Sequence, residues 1–277
     1  MVIASNTCKQ AKMTTADMPP RLHRADLALR QLGCEVGLIT EASGSARYSQ
    51  GDTVVVASVY GPGQPKYMRH EDRDQLTIEV SYSSTLGGGV GGGGGGDPSA
   101  ILSEGGSGGG GGAVAPSSEA QCVERGAVKL IRAALLQAVD RRAFPRHLVT
   151  VRISVLEDCG GAVAAAVNAA SIALQDAGVP MLHVPVCAVV SLGTDGSASA
   201  RIDPSAEEEE AAASTHMWTV RAGTSTPTAA GAVEGDFVVL GGSSVGAFST
   251  EQQAEALALI AQAGTQLLRF ARGALSC

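Results

Sequence analysis

The sequence predicts an α+β fold in which helices pack against a mixed β-sheet. Two observations lead to this prediction. The 277 residues alternate between short β-branched or alternating runs, typical of strands, and segments whose apolar residues recur at helical spacing. The predicted order is strands, helix, strand, helix, strands, helix. Because aromatic residues make up only 3% of the chain, Val, Leu, Ile and Ala must fill the interior.

The N-terminal third is predicted to be a run of strands at 34–40, 45–50, 52–60 and 75–82. The third strand has the valine-rich sequence Thr-Val-Val-Val and is expected to be buried on both faces. Gly51-Asp52 supplies the turn before it, and Gly61-Pro62 is expected to end it. The fourth alternates apolar and polar residues, which is typical of a strand with one solvated face.

A glycine-rich tract over 87–112 interrupts this pattern. Such a tract cannot bury enough apolar surface to offset its chain entropy, so it is predicted to be a flexible insertion. A phosphate-binding loop is disfavoured there, because neither G-x-G-x-x-G after a strand nor G-K-[S/T] occurs in the required context. Residues 1–20 are predicted to be a flexible leader, and 21–277 a single domain that contains the insertion.

The rest of the chain is predicted to alternate helices and strands. Helices are expected over 123–139, 162–176 and 251–275, and strands over 147–156, 182–192, 199–202, 215–220 and 237–240. Thr194-Asp195-Gly196 is predicted to be the turn of a hairpin. The acidic run at 207–210 is expected to be a solvated surface.

The composition of the chain disfavours several classes of protein function. The formal net charge of −7 argues against nucleic-acid binding through bulk positive charge. The six cysteines show no C-x-x-C spacing, which disfavours a zinc site and indicates reduced thiols in an intracellular protein. Neither a signal peptide nor a membrane-spanning segment is expected. The scattered histidines are not expected to form a hydrolase triad.

Three blocks of sequence resemble the RNase PH family. They are GSARYSQGDTVVVASVYGP, VTVRISVLEDCGGAVAAAVNAASIALQDAGVPM and GSASARIDPSAEEE, in that order along the chain. The resemblance implies the RNase PH-like fold, also described as ribosomal protein S5 domain 2-like. Within the family, the form LEDCGG and the absence of an RPDGR leader are most similar to the eukaryotic exosome ring subunits.

The resemblance implies a structural, RNA-contacting subunit of the RNA exosome core ring that supports 3′–5′ processing and decay of RNA, including rRNA processing and mRNA turnover. The implied partners are other RNase PH-like ring subunits, RNA-binding cap subunits and single-stranded RNA. The implied location is the nucleus and nucleolus, and also the cytoplasm. Two alternatives stay open: a phosphorolytic or metal-dependent 3′–5′ nuclease, and a homodimeric nucleic-acid-binding protein outside the ring.

The nuclease alternative centres on Asp158, which matches the Asp of the family's Asp-Gly motif. In that role Asp158 would be catalytic or a Mg²⁺ ligand, with Glu157 beside it. Gly160 and Gly161 would offer backbone N–H groups to inorganic phosphate at a helix N-terminus. Active members follow the motif with a hydroxyl residue and an arginine, whereas this chain has Gly161-Ala162-Val163. The sequence therefore leans against catalysis, and no cofactor is expected unless the chain is catalytic.

Two basic segments are candidates for RNA contact. In related ring subunits the loop after the Gly61-Pro62 strand faces the channel, which makes Lys66, Arg69 and Arg73 candidates for backbone contact and Tyr67 a candidate for base stacking. The second set is Arg132, Arg141, Arg142 and Arg146. Its members are instead expected to interact with the dipole of a helix C-terminus.

Overall fold

The computed structural model of the protein describes residues 24–65, 74–84, 118–193, 196–222 and 237–274. The strands in these ranges are β1 Leu32–Val36, β2 Gly44–Gln50, β3 Thr53–Gly63, β4 Thr77–Ser84, β5 Leu148–Glu157, β6 Val186–Gly193, β7 Gly196–Ile202, β8 Ser214–Ala222 and β9 Phe237–Gly246. The helices are α1 Ser118–Ala138, α2 Ala162–Asp176, α3 Ala206–Ala211 and α4 Thr250–Ala274. The predicted leader, the glycine-rich tract and the basic loop at 66–73 lie outside these ranges.

The described strands form two sheets. The first has the order β1-β2-β3-β5-β4, and it is mixed because β4 and β5 run parallel while its other neighbours are antiparallel. The second has the order β7-β6-β8-β9 and is antiparallel throughout. The predicted α+β class with a mixed sheet is therefore confirmed. The division into two sheets was not predicted, since strand periodicity does not reveal which strands pair.

Helix α2 lies between the two sheets and contacts β2 and β3 on one side and β6 on the other. Twelve of its 15 residues are buried. Its alanine-rich sequence lets both sheets approach closely, and Gly44 shows how tight this packing is. A Cβ atom at Gly44 would lie 2.6 Å from the carbonyl oxygen of Ala173. The small side chains of α2 allow the helix, including its N-terminus, to fit between the two sheets.

The other long helices pack on the outside. Helix α1 contacts β4 and β9, and α4 contacts β6, β7 and β8. One buried cluster joins the first sheet to α1 and α2, and a second joins β6, β7 and β8 to α4. Among the described residues no helix is long and apolar enough to cross a membrane.

Strand β3 differs from its prediction in two ways. It continues through Pro62 to Gly63, with a break in register against β5 that absorbs the missing N–H of the proline. It is fully buried on one face only, because Val54 and Val56 are half-buried while Val55 is not exposed to solvent. The predicted turn before the strand is confirmed, with Gly51 at a φ of 59°.

The acidic run at 207–210 is only partly a solvated surface. It lies in the short helix α3, which begins with a capping box: Ser205 Oγ accepts the Glu208 N–H and the Glu208 carboxylate accepts the Ser205 N–H. The Glu208 side chain is buried and forms a salt bridge of 3.1 Å with Arg201. The prediction of a wholly solvated run was wrong for this residue, although the Ser-x-x-Glu spacing was visible in the sequence.

The predicted hairpin is confirmed by the antiparallel pairing of β6 and β7, in which Gly193 faces Gly196. Strand β9 extends six residues beyond its predicted end at 240. Its second half, Gly-Gly-Ser-Ser-Val-Gly, carries little intrinsic strand preference, and pairing with β8 is what holds it extended.

Candidate functional site

The candidate site is the turn that connects β5 to the N-terminus of α2. Gly160 and Gly161 both have positive φ, at 103° and 68°. The Gly160 N–H donates a hydrogen bond of 3.0 Å to Asp158 Oδ1. A Cβ atom at Gly160 would lie 2.7 Å from the carbonyl oxygen of Pro204. Glycine is therefore required there both by the backbone conformation and by the close approach of the segment before α3.

Arg30 stabilises the backbone of this turn through hydrogen bonds. Its guanidinium donates to the carbonyl oxygens of Cys159 and Gly160, at 3.0 and 2.9 Å. The same group binds Asp203 Oδ1 through Nε and Nη2, at 3.0 and 2.7 Å. Thr53 adds a hydroxyl bond of 2.8 Å to the Gly160 carbonyl. The donors of Arg30 thus serve the backbone of the turn and a buried carboxylate.

Asp203 is the buried carboxylate that accepts the hydrogen bonds of Arg30 in this network. It is 2% exposed and has a φ of 54°, which is uncommon for a residue other than glycine. Its Oδ2 atom accepts the Arg30 N–H at 2.7 Å, and Arg24 lies 3.4 Å from the same atom. Two arginines therefore compensate one buried negative charge beneath the candidate site.

Glu209 closes the N-terminus of α2. Its Oε1 atom accepts the Gly161 N–H at 3.0 Å. Burial raises the pKa of Glu209 to about 7; the Gly161 hydrogen bond lowers it, nearby Asp158 raises it, and Arg30 lowers it. The position at which a helix N-terminus binds an anion is thus occupied by a side chain of the protein itself.

The predicted catalytic pair does not converge. Asp158 and Glu157 are both exposed, and Glu157 is the last residue of β5, opposite Val54. In the part of the chain that the structure describes, no three His, Cys, Asp or Glu side chains come close enough to hold a metal ion. The catalytic roles of Asp158 and Glu157 and the Mg²⁺-binding role of Asp158 stay predictions.

The two basic segments differ in whether the structure describes them. Lys66, Tyr67, Arg69 and Arg73 lie outside the described residues, so their role stays a prediction. The dipole role predicted for the second basic set stays a prediction; the last turn of α1 itself carries no basic residue. Arg141 donates a hydrogen bond of 3.0 Å to the carbonyl oxygen of Leu76, ahead of β4.

One histidine has polar neighbours that the sequence did not reveal. His216 is fully buried, with Nε2 3.1 Å from Ser214 Oγ and Nδ1 2.9 Å from Ser244 Oγ. Burial lowers its pKa, which favours the neutral ring. Pairing of β8 with β9 brings Ser244 to this position. The third partner is a hydroxyl rather than a carboxylate, so the arrangement is not a hydrolase triad.

Glu209, Arg30 and Asp203 are site residues that sequence reasoning missed. Their contacts with the turn and with each other join residues 48 to 173 positions apart, which no local pattern reveals. Only α3 could have been recognised from the sequence, through the Ser-x-x-Glu spacing of its capping box. The capping box turns Glu208 inward, and Glu209 is the next residue of the helix.

Comparisons with known proteins agree with this architecture. Residues 28–180 match the family model RNase_PH, the 3′ exoribonuclease family, domain 1. The chain is 32% identical over 168 residues to exosome complex component Rrp41 of Thermococcus gammatolerans, covering 60% of this chain and 57% of that protein. It is 31% identical over 205 residues to human exosome complex component MTR3, covering 70% and 71%. The crystal structure of rice Rrp46 matches with a TM-score of 0.69 at 22% identity, covering 92% of this chain and 98% of that one.

The two sheets around α2 and the glycine turn at its N-terminus define an α+β protein of the RNase PH-like class. Because the family model matches more than half of the chain, the chain belongs to the 3′ exoribonuclease (RNase PH) family. The predicted family and fold are confirmed. The chain spans 57% of the length of the archaeal relative described above.

Proposed function

We propose that the protein is a structural, RNA-contacting subunit of the core ring of an RNA exosome, and that it supports 3′–5′ RNA processing and decay. The relatives named above are exosome complex components, which supports ring membership. The observation that carries the non-catalytic part of the proposal is the hydrogen bond between Glu209 and the Gly161 N–H.

That hydrogen bond bears on phosphorolysis, in which inorganic phosphate attacks the 3′-terminal phosphodiester of RNA. A phosphate at the N-terminus of α2 would have to displace the Glu209 carboxylate. It would also meet the negative charge of Asp158 and find neither hydroxyl nor guanidinium on Ala162 and Val163. Arg30 offers little help, because its donors already bind Asp203 and the carbonyl oxygens of the turn. The residues at the N-terminus of α2 are therefore better suited to stabilising the fold than to binding phosphate.

The edge of the first sheet supports a scaffold role. Strand β1 ends the sheet and carries Val36, which is 39% exposed, with Leu38 just beyond it at 49%. An edge strand offers unpaired backbone groups, and adjacent exposed apolar residues favour contact with another protein. We assign this edge to contact with a neighbouring RNase PH-like subunit, with the RNA-binding cap subunits as further partners of the ring.

The test is the composition of the native complex recovered from cell extract through an affinity tag. We expect RNase PH-like ring subunits and cap subunits in a particle several times larger than the 27.9 kDa chain. Val36→Asp with Leu38→Asp should release these partners, whereas the matched control Leu182→Asp, at a residue 68% exposed, should retain them. A particle of twice the chain mass that contains this chain alone would instead support the homodimer outside the ring.

A second candidate function is a 3′–5′ exoribonuclease, and one observation favours it. A carboxyl group with a pKa near 7, such as that of Glu209, is suited to general acid–base catalysis at neutral pH. The purified chain would then degrade single-stranded RNA, and Asp158→Asn or Glu209→Gln would abolish the activity. Release of nucleoside diphosphates that depends on added phosphate would identify phosphorolysis, whereas phosphate-independent cleavage would identify hydrolysis. We expect neither product.

We further propose that the protein acts in the nucleus and nucleolus and also in the cytoplasm, as an exosome subunit in rRNA processing and mRNA decay would. Fluorescence imaging of the tagged chain, expressed at its native level, tests this location. Absence of signal from the nucleus would contradict it.

A further inference from the structure

A groove between α1 and β9 is separate from the turn at Asp158. It encloses a cavity of about 380 Å³, within the range of about 300–1,000 Å³ that is typical of ligand sites. Leu130 of α1 lines one wall, and Thr219 of β8 and Gly241 of β9 line the other. Leu240 also lines the cavity, and its carbonyl oxygen accepts a hydrogen bond of 3.1 Å from Gln137 Nε2 of α1.

Small residues and a strand irregularity line the groove between α1 and β9. In the pairing of β8 with β9, the register shifts at Leu240, so that Thr219 faces Gly241 and Val220 faces Val239. A Cβ atom at Gly241 would meet no atom within 4 Å, and the same holds for Gly126 on the opposite wall. The cavity is therefore real open space beside both glycines, with room for part of a ligand.

The floor of the groove is closed to solvent. Thr219 is 1% exposed and its hydroxyl oxygen is shielded from solvent. The polar groups open to a ligand are therefore those of the β9 backbone and of the charged side chains on α1.

A stripe of positive charge runs along one rim of the groove. Arg125, Lys129 and Arg132 of α1 are all exposed, and their spacing of four and three residues places them on one face of the helix. Lys129 also lines the cavity. Within the described residues, none of the three forms an ion pair. In a chain of net charge −7, three neighbouring cations on one helix face favour an anionic ligand.

The charge of the neighbouring acidic residue Glu124 acts on Tyr82 of β4. Burial, then Asp158 and Glu124, raise the pKa of Tyr82 on β4 to about 12. Glu124 is therefore close enough to β4 for its charge to act there.

We propose that this groove binds single-stranded RNA, with the phosphate backbone along Arg125, Lys129 and Arg132 and one base in the cavity. The apolar wall accommodates the face of a base, and the backbone of edge strand β9 can bond to its polar edge. The site goes beyond the RNA contact assigned to the loop after β3. It belongs to this chain alone, so it binds RNA whether or not the protein is part of a ring.

The test measures fluorescence anisotropy of a labelled 12-nucleotide oligo(A) RNA with the purified full chain over a series of salt concentrations. Gly126→Leu and, separately, Gly241→Leu place a side chain in the cavity from positions where a Cβ atom meets no other atom within 4 Å. Each should weaken binding, because one base loses its place in the cavity, and leave the salt dependence unchanged. Arg125→Glu with Arg132→Glu should weaken binding and reduce the log–log salt slope by about 1.4, or 0.7 for each lost phosphate contact.

The control is Arg47→Glu with Arg142→Glu, which changes the net charge equally at two exposed positions outside the groove. This variant should bind RNA within twofold of the unmodified chain. The proposal is overturned if the control loses as much affinity as the rim variant, if both cavity-filling variants bind normally, or if the unmodified chain does not bind. It is likewise overturned if filling the cavity releases a protein partner and leaves RNA affinity unchanged, since the groove is then a protein interface.

Discussion

At the scale of single residues, Glu209 links the candidate site to pH. Its pKa in the fold is about 7, against 4.5 for the free side chain. A raised pKa means that the folded state prefers the protonated form, so the stabilising contribution is complete below pH 4.5 and is lost as the pH rises through 7. We expect Glu209→Gln to raise the free energy of unfolding at pH 8 by up to about 3 kcal/mol, and by less at pH 5.

Urea denaturation of both proteins at the two pH values measures this difference. Glu210→Gln, at an exposed position of the same helix, is the matched control and should change little at either pH. An equal loss of stability at pH 5 and pH 8 in the Glu209 variant would mean that its carboxylate stabilises the turn in its charged form.

Arg30 is expected to be far more important for stability than a surface arginine. Its side chain is 12% exposed and forms a salt bridge of 2.7 Å with Asp203, whose side chain is 3% exposed. Arg30→Met leaves that buried carboxylate undercompensated, so we expect a loss of about 3–5 kcal/mol in the free energy of unfolding.

The comparison is Arg47→Met, which removes an exposed salt bridge of 3.5 Å to Glu35 and should cost at most about 1 kcal/mol. Both values come from chemical denaturation at neutral pH. If the two substitutions have the same effect, Arg24 alone is sufficient to compensate Asp203.

The sequence reveals the candidate turn but not the residues that hold it. The glycines after Asp158, ahead of an alanine-rich segment, predict a strand-to-helix turn, and the structure has one. Arg30 and Glu209 reach this turn from segments 130 and 48 residues away. Such contacts depend on how the sheets are arranged around α2, and local patterns contain no information about that arrangement.

At the scale of secondary structure, predictions succeed where side-chain periodicity is strong. The apolar repeats of α1 and α4 and the alternation in β4 place these elements within a few residues of their bounds. Predictions fail where tertiary pairing overrides local preference, as in β3 beyond Pro62 and in the glycine-rich half of β9. Helix α3 was missed because its six residues are too few to show a period.

The glycine-rich tract gives a prediction at this scale. Deleting 87–112 and joining the ends with a short turn should barely change stability, because closure entropy varies by only about 0.6 kcal/mol for each doubling of loop length. Thermal unfolding of the deleted and full chains provides the measurement. A fall in the midpoint equivalent to several kcal/mol would mean that the tract packs against the folded protein.

At the scale of the whole molecule and its assembly, we expect the loop after β3 to contact RNA. Lys66→Glu with Arg69→Glu should weaken binding of single-stranded RNA by the assembled complex and lower the log–log salt slope by about 0.7 for each lost phosphate contact. Filter binding at several salt concentrations measures both quantities.

The control for this experiment must avoid Arg141, whose side chain bonds to the Leu76 carbonyl oxygen and therefore supports the fold. Arg47→Glu with Arg142→Glu is the suitable pair. Unchanged affinity and slope in the loop variant would limit this subunit to a scaffold, and a greater loss in the control would indicate that a different basic surface contacts RNA.

The burial of α2 between the two sheets has a consequence for how the molecule opens. Backbone N–H groups in its centre can meet solvent only if packing against both β3 and β6 is lost. Deuterium should therefore enter the middle of this helix at the rate set by global unfolding, while the exposed ends of α4 exchange through local fraying. The slowest-exchanging amides should then lie in α2, a few residues from the turn that carries Asp158.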